Sequence, residues 1–163
     1  METINWEKHL KLQENSSYCG VATVQMILDS IGIEKSQKQI ARAIYKSWWG
    51  TPTDLLYGYL SKYFEYVNYR DYMVIDDLSY YLKMYYAVIA HIDMGHYCIV
   101  SACNNNDNNK DVTIVDPKDG IKTISVKSFE KRWFLSEIFR DRTCTGGWLL
   151  WMGYPLSASN KER

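Results

Sequence analysis

Apolar residues recur at Val21, Val24, Leu28 and Ile31, and Ala22, Met26 and Ile27 widen that stripe. This is helical spacing with one buried face. Ser16 or Ser17 stands where an N-cap belongs, and Gly32 where a helix stops. Cys19 therefore falls in or just before the first turn. A second helix is predicted over residues 36–45, with Ser36 as cap and Gln39 completing a capping box. A third, capped by Thr53, carries Leu55, Leu56, Tyr59, Leu60 and Phe64. A short one capped by Asp76 carries Leu78 and Leu82.

The pattern then changes to short runs of strand type at residues 87–93, 97–103, 112–116 and 121–126. A short helix over 127–134 and a last strand over 148–152 follow. Gly146-Gly147 reads as the turn before that strand. Helices first and strands second predict an α+β fold, with N-terminal helices packed on a C-terminal antiparallel sheet. Residues 1–155 form one domain, and 156–163 are a polar, frayed tail.

Residues 104–110 are rich in Asn and Asp without periodicity, which predicts an exposed loop. A hairpin centred on Asn106 pairs Val100 with Val112, Cys98 with Ile114 and His96 with Asp116, all on one face. Directly opposed residues approach to roughly 5 Å between Cβ atoms. This register sets a carboxylate against the imidazole, where it fixes the tautomer and stabilises the imidazolium. A one-residue slip would put the two on opposite faces. Pro117 ends the strand, and Lys118-Asp119-Gly120 turns the chain.

A cysteine at a helix start is favoured as thiolate by unpaired backbone N–H groups and the helix dipole. Thiolate is the nucleophilic form. Gly20 keeps the backbone beside the sulfur accessible, and Gln13 offers a neutral N–H₂ as an oxyanion donor. Taken singly, Cys19 also reads as a buried small hydrophobe, Gln13 as a surface polar residue and His96 as a satisfied histidine. Together, Cys19, His96 and Asp116 make the site of a thiol-based acyl transfer.

The stretch Gln13-Glu14-Asn15-Ser16-Ser17-Tyr18-Cys19-Gly20, with Ser36-Gln37, Gly95-His96-Tyr97 and Val115-Asp116-Pro117, resembles the C39 and C39-like peptidases. These are papain-like cysteine peptidases related to double-glycine leader peptidase domains, and the likeness spans residues 13–134. The resemblance implies Cys19 as nucleophile, His96 as general base and acid, Asp116 as the orienting residue and Gln13 in the oxyanion hole. It implies a peptide or protein substrate and a papain-like fold. Tyr18 stands where the exporter-type domains carry Asp, and Tyr85-Tyr86-Ala87 where they often carry Pro. These departures lean toward the broader C39-like group and leave double-glycine specificity unassumed. The same residues serve a glutamine deamidase or transglutaminase-like acyl transfer, and a non-catalytic peptide-binding module could keep the cleft.

Composition narrows the partners. Nineteen basic and nineteen acidic residues give no electrostatic case for nucleic acid. No apolar run reaches membrane-spanning length, and no secretory signal precedes Gln13, which points to a cytoplasmic protein. Cys98, Cys103 and Cys144 read as free structural thiols. Without Cys-x-x-Cys or paired-His spacing, neither a metal nor another cofactor is expected. The chain is rich in aromatics, with 14 Tyr and 6 Trp. Trp48-Trp49 either walls the substrate cleft, alongside Gly95, or packs a loop onto the core. Tyr80-Tyr81 and Tyr85-Tyr86 read as core edges, and His91 as a satisfied structural histidine.

Overall fold

The computed structural model describes residues 3–138 and 146–156. In chain order the elements are α1 (Trp6–His9), α2 (Cys19–Ser30), α3 (Gln37–Ile44), α4 (Thr53–Leu60), β1 (Asn68–Met73), α5 (Ile75–Met84), β2 (Ala87–Ile92), β3 (His96–Asn106), β4 (Asn109–Asp116), β5 (Gly120–Ser125), α6 (Val126–Ile138) and β6 (Gly147–Met152). The strands form one antiparallel sheet in the order β1-β6-β2-β3-β4-β5. The α+β class and the antiparallel sheet agree with the expectation from sequence.

Helices cover both faces of that sheet. On one face, Val24, Met26, Ile27 and Leu28 of α2 share a core with Ile40, Leu56, Leu60, Ile89, Ile99 and Leu150. On the other, Leu78 of α5 and Phe129 and Trp133 of α6 pack with Val88, Ala90, Cys98, Val100, Ile114 and Leu149. All six residues of β6 and five of the six in β2 are buried, as strands covered on both sides require. The indole of Trp133 donates its N–H to the Trp148 carbonyl at 3.0 Å, over Gly147, where any Cβ would overlap the ring. Gly147 belongs to the strand rather than to the expected turn.

Local signals are met unevenly. Ser36 accepts from the Gln39 N–H at 3.1 Å while the Gln39 side chain accepts from the Ser36 N–H at 2.9 Å, completing the capping box. Gly32 follows α2 with φ 80°, the left-handed stop that glycine provides. The expected caps at Ser16 or Ser17, Thr53 and Asp76 are displaced. The N-cap positions are Tyr18, Pro52 and Val74, and none of them closes its helix with a side chain. The last of these helices is served instead by Asp77, which accepts from the Val74 N–H at 2.9 Å. Phe64 lies beyond α4, and α6 is longer than expected. The tail from residue 157 onward and Cys144 lie outside the described residues.

The β3–β4 hairpin corrects the expected register. Strand pairing runs almost to the turn, Asn106 opposite Asn109, so most of the predicted loop is ladder. The outer pairs include Ala102–Thr113 and Cys103–Val112. The inner pairs are Ile99–Val115 and Val100–Ile114, so Ser101 is an extra, bulged residue. Extended inward, this register sets Asp116 across from Cys98 rather than His96. Without the bulge, Asp116 would lie across from Ile99, on the opposite face from His96. The bulge restores the shared face, and His96 and Asp116 become diagonal neighbours instead of a direct pair.

Candidate active site

Cys19 is the first residue of α2, at the helix end where backbone donors are unpaired. Burial works to raise its thiol pKa. The side-chain hydrogen bond to His96, the N–H groups of Tyr97 and Gly20 and the imidazolium charge outweigh that and hold it below the ordinary value. The Cys19 Sγ also lies 3.8 Å from the Gly95 carbonyl. Burial instead drives Cys98 and Cys103 upward, so among the described thiols Cys19 is distinguished by its surroundings. All three are free.

His96 opens β3. Its Nε2 donates to Asp116 Oδ1 at 2.6 Å, which leaves Nδ1 as the ring nitrogen for Cys19. Burial acts to lower its pKa, but the hydrogen bonds to Asp116 and Cys19 prevail and carry it up to about 9. Asp116 is 1 % exposed. Burial disfavours its charge, yet the bond from His96 and the Lys118 N–H, donated to Oδ1 at 2.8 Å, keep the carboxyl below its usual range. Along this chain of three residues each neighbour favours the charged form of the next.

A cleft of about 910 Å³ opens over the sulfur. Cys19, His96 and Gly95 line it on one side and Trp48 and Trp49 on another. The two indoles are 81 % and 70 % exposed and meet edge to face at 5.9 Å, so the loop does not pack onto the core. His91, expected to be structural, also lines this cleft and lies tilted against Tyr97 with ring centroids 4.8 Å apart. Gln13 lies elsewhere. It lines a second cavity of about 580 Å³ behind the imidazole, together with Asp93, Asp116 and Arg132. One of its amide hydrogens goes to the Asn15 carbonyl at 2.9 Å, and its Oε1 is buried without a partner. Its backbone N–H donates to the Pro117 carbonyl at 2.7 Å, fastening the segment before Cys19 to the turn after Asp116.

Two contacts at the site carry no signal in sequence. Thr51 packs directly on Gly20: a Cβ added there would stand 2.6 Å from Thr51 Oγ1 and 2.7 Å from Thr51 Cβ. The Thr51 carbonyl accepts from the Tyr97 hydroxyl at 3.0 Å. Thr51 therefore touches the residue after Cys19 and the residue after His96.

The sequence matches the Peptidase C39 family over residues 7–144. No curated protein matches it. Among solved structures it is similar to a double glycine motif protease from an AMS/PCAT transporter in complex with the leader peptide, at 18% identity and TM-score 0.63, covering 89% of this chain and 91% of that one. It is also similar to the peptidase domain of Streptococcus ComA, at 18% identity and TM-score 0.64, covering 88% and 96%. Among the described residues no helix is long and apolar enough to cross a membrane.

The contact with Thr51 makes a sharp demand on Gly20. Gly20→Ala is expected to destabilise the protein by about 1–3 kcal/mol through overpacking and to slow alkylation of Cys19. Adding Thr51→Gly to that variant should recover most of both. Urea unfolding and peptide mapping of the alkylated thiol read the two effects; a Gly20→Ala protein as stable and reactive as wild type contradicts the close approach.

Proposed function

The chain belongs to the peptidase C39 family, and on that premise we propose that it hydrolyses peptide bonds with Cys19 as nucleophile, His96 as general base and acid, and Asp116 as the residue that orients the ring. The observation carrying this reading is the 2.6 Å bond from His96 Nε2 to Asp116, which turns the other ring nitrogen toward a thiol whose pKa is depressed. The thiolate attacks the scissile carbonyl. His96 gives its proton to the leaving amine, and water then hydrolyses the thioester with His96 as base. The backbone N–H of Cys19, at the helix start, is one donor to the oxyanion. The family resemblance assigns the second donor to Gln13, whose amide must leave the Asn15 carbonyl and turn from the cavity behind the imidazole into the cleft to serve.

A peptide is the substrate class that fits the cleft. One structurally similar protease was solved with its leader peptide bound, and the groove here is long enough to run from the sulfur to the Trp48-Trp49 wall. Those exposed indoles offer apolar contact area to substrate side chains away from the scissile bond. Gly95 contributes backbone beside the scissile bond.

The pH dependence follows from the two shifted groups. Cys19 is depressed, so its thiolate is lost as pH falls through a value below the ordinary thiol's. His96 is raised, so its imidazolium is lost as pH rises through about 9. Hydrolysis of a quenched peptide library should therefore trace a bell with its upper limb near 9, new N-termini should appear, and Cys19→Ala should abolish turnover. Mass gain at glutamine with the backbone intact would move the reading to side-chain amide transfer. Peptide binding without any turnover would move it to a binding module. Once a substrate is in hand, Trp48→Ala with Trp49→Ala should raise KM by about tenfold while leaving kcat unchanged, the signature of lost uniform binding; an unchanged KM would remove the two indoles from the binding site.

A further inference from the structure

The turn that delivers His96 holds two consecutive side-chain-bearing residues in left-handed backbone. Asp93 and Met94 have φ 53° and 65°, in the left-handed region where side chains are disfavoured. Such a turn persists when its surroundings hold it, and here α6 does so. The Asp93 N–H donates to the Arg132 carbonyl at 2.9 Å. The Arg132 guanidinium closes a fork on the same residue, Nε donating to Oδ1 at 3.0 Å and Nη2 to Oδ2 at 2.6 Å. The same Nη2 stands 4.0 Å from Asp116 Oδ2, the oxygen not bonded to His96. One side chain thus reaches both the turn that begins the catalytic strand and the carboxylate that orients the ring.

The geometry points to Arg132 and Asp93 as a positioning pair that sets His96 against Cys19. This rests on Cys19 and His96 reacting together as proposed above. The side chains of the pair are 31% and 38% exposed. An ion pair this close to solvent contributes little to fold stability, so its contribution falls on the geometry of the turn. The charged groups facing His96 are Cys19 from α2, Asp116, Lys118 and Asp119 from the end of β4 and its turn, and Asp93 and Arg132 themselves.

The test uses Asp93→Asn, Arg132→Lys and the double variant in the full chain. Asn tolerates the left-handed backbone, and Lys keeps the charge while losing the fork. The readout is the pH midpoint of Cys19 alkylation by iodoacetamide, followed by peptide mapping, alongside the thermal unfolding midpoint. Each single variant is expected to move the Cys19 midpoint upward, so that alkylation below the wild-type midpoint slows roughly three- to tenfold. Thermal unfolding should barely move, and the double variant should be no worse than either single one, because one interaction has been removed twice. Asp93→Asn is decisive in sign. Deleting a negative charge would by itself lower the midpoint, so an upward shift identifies lost positioning. A midpoint that falls or stays put in Asp93→Asn, or effects that add in the double variant, would overturn the inference. A wild-type midpoint at the ordinary thiol value would overturn the proposed function, and this pair's role with it.

Discussion

One extra residue in a strand decides which side of the sheet the Asp116 carboxylate occupies. Along β3 and β4 the outer ladder runs in a register that would carry Asp116 to the face opposite His96, and the bulge at Ser101 moves it back. The 2.6 Å bond between His96 Nε2 and Asp116 Oδ1 depends on that step. So does the placement of Asp116 at 1% exposure, where its charge is held by the imidazole and by the Lys118 N–H. An imidazole raised to about 9 by its hydrogen bonds to this carboxylate and to Cys19 in turn favours the charged form of a half-buried thiol. The polar chemistry of the site is thus downstream of a register choice made in the core of the hairpin.

The fold brings the two halves together from opposite directions. Cys19 comes from α2 on one face of the sheet, whereas the fork on Asp93 comes from α6 on the other. His96 sits between them at the first residue of β3. Thr51 packs on Gly20 and accepts from Tyr97, so the loop carrying Trp48 and Trp49 is anchored at its base to the segments of both Cys19 and His96 while its indoles stand in solvent. An anchored base with an exposed aromatic rim suits the peptide-holding role proposed above.

What was legible in the sequence has a local cause. The stripe from Val21 to Ile31, the Gly32 stop and the Ser36–Gln39 box are short-range signals, and each has its counterpart in the structure. The residues Cys19, His96 and Asp116 were legible as a set because their order and spacing resemble those of a known family. β1 was missed because five of its six residues, from Asn68 to Tyr72, lie at least partly exposed on a sheet edge, without the alternation that marks a half-buried strand. The four-residue α1 is too short to show a period. The Ser101 bulge has no residue signature, and pairing apolar with apolar chose a register two residues out, which happened to preserve the face. Arg132 and Asp93 are 39 residues apart, so nothing local joins them.

The protonation of His96 is the quantity on which the account turns, and its ring resonances report it directly. NMR titration of the full-length protein should find His96 protonated through neutral pH, titrating at about 9, and falling by more than a unit in Asp116→Ala. A His96 that titrates near the ordinary value of about 6.5, indifferent to the loss of Asp116, would contradict the thiolate–imidazolium pair at the centre of this account.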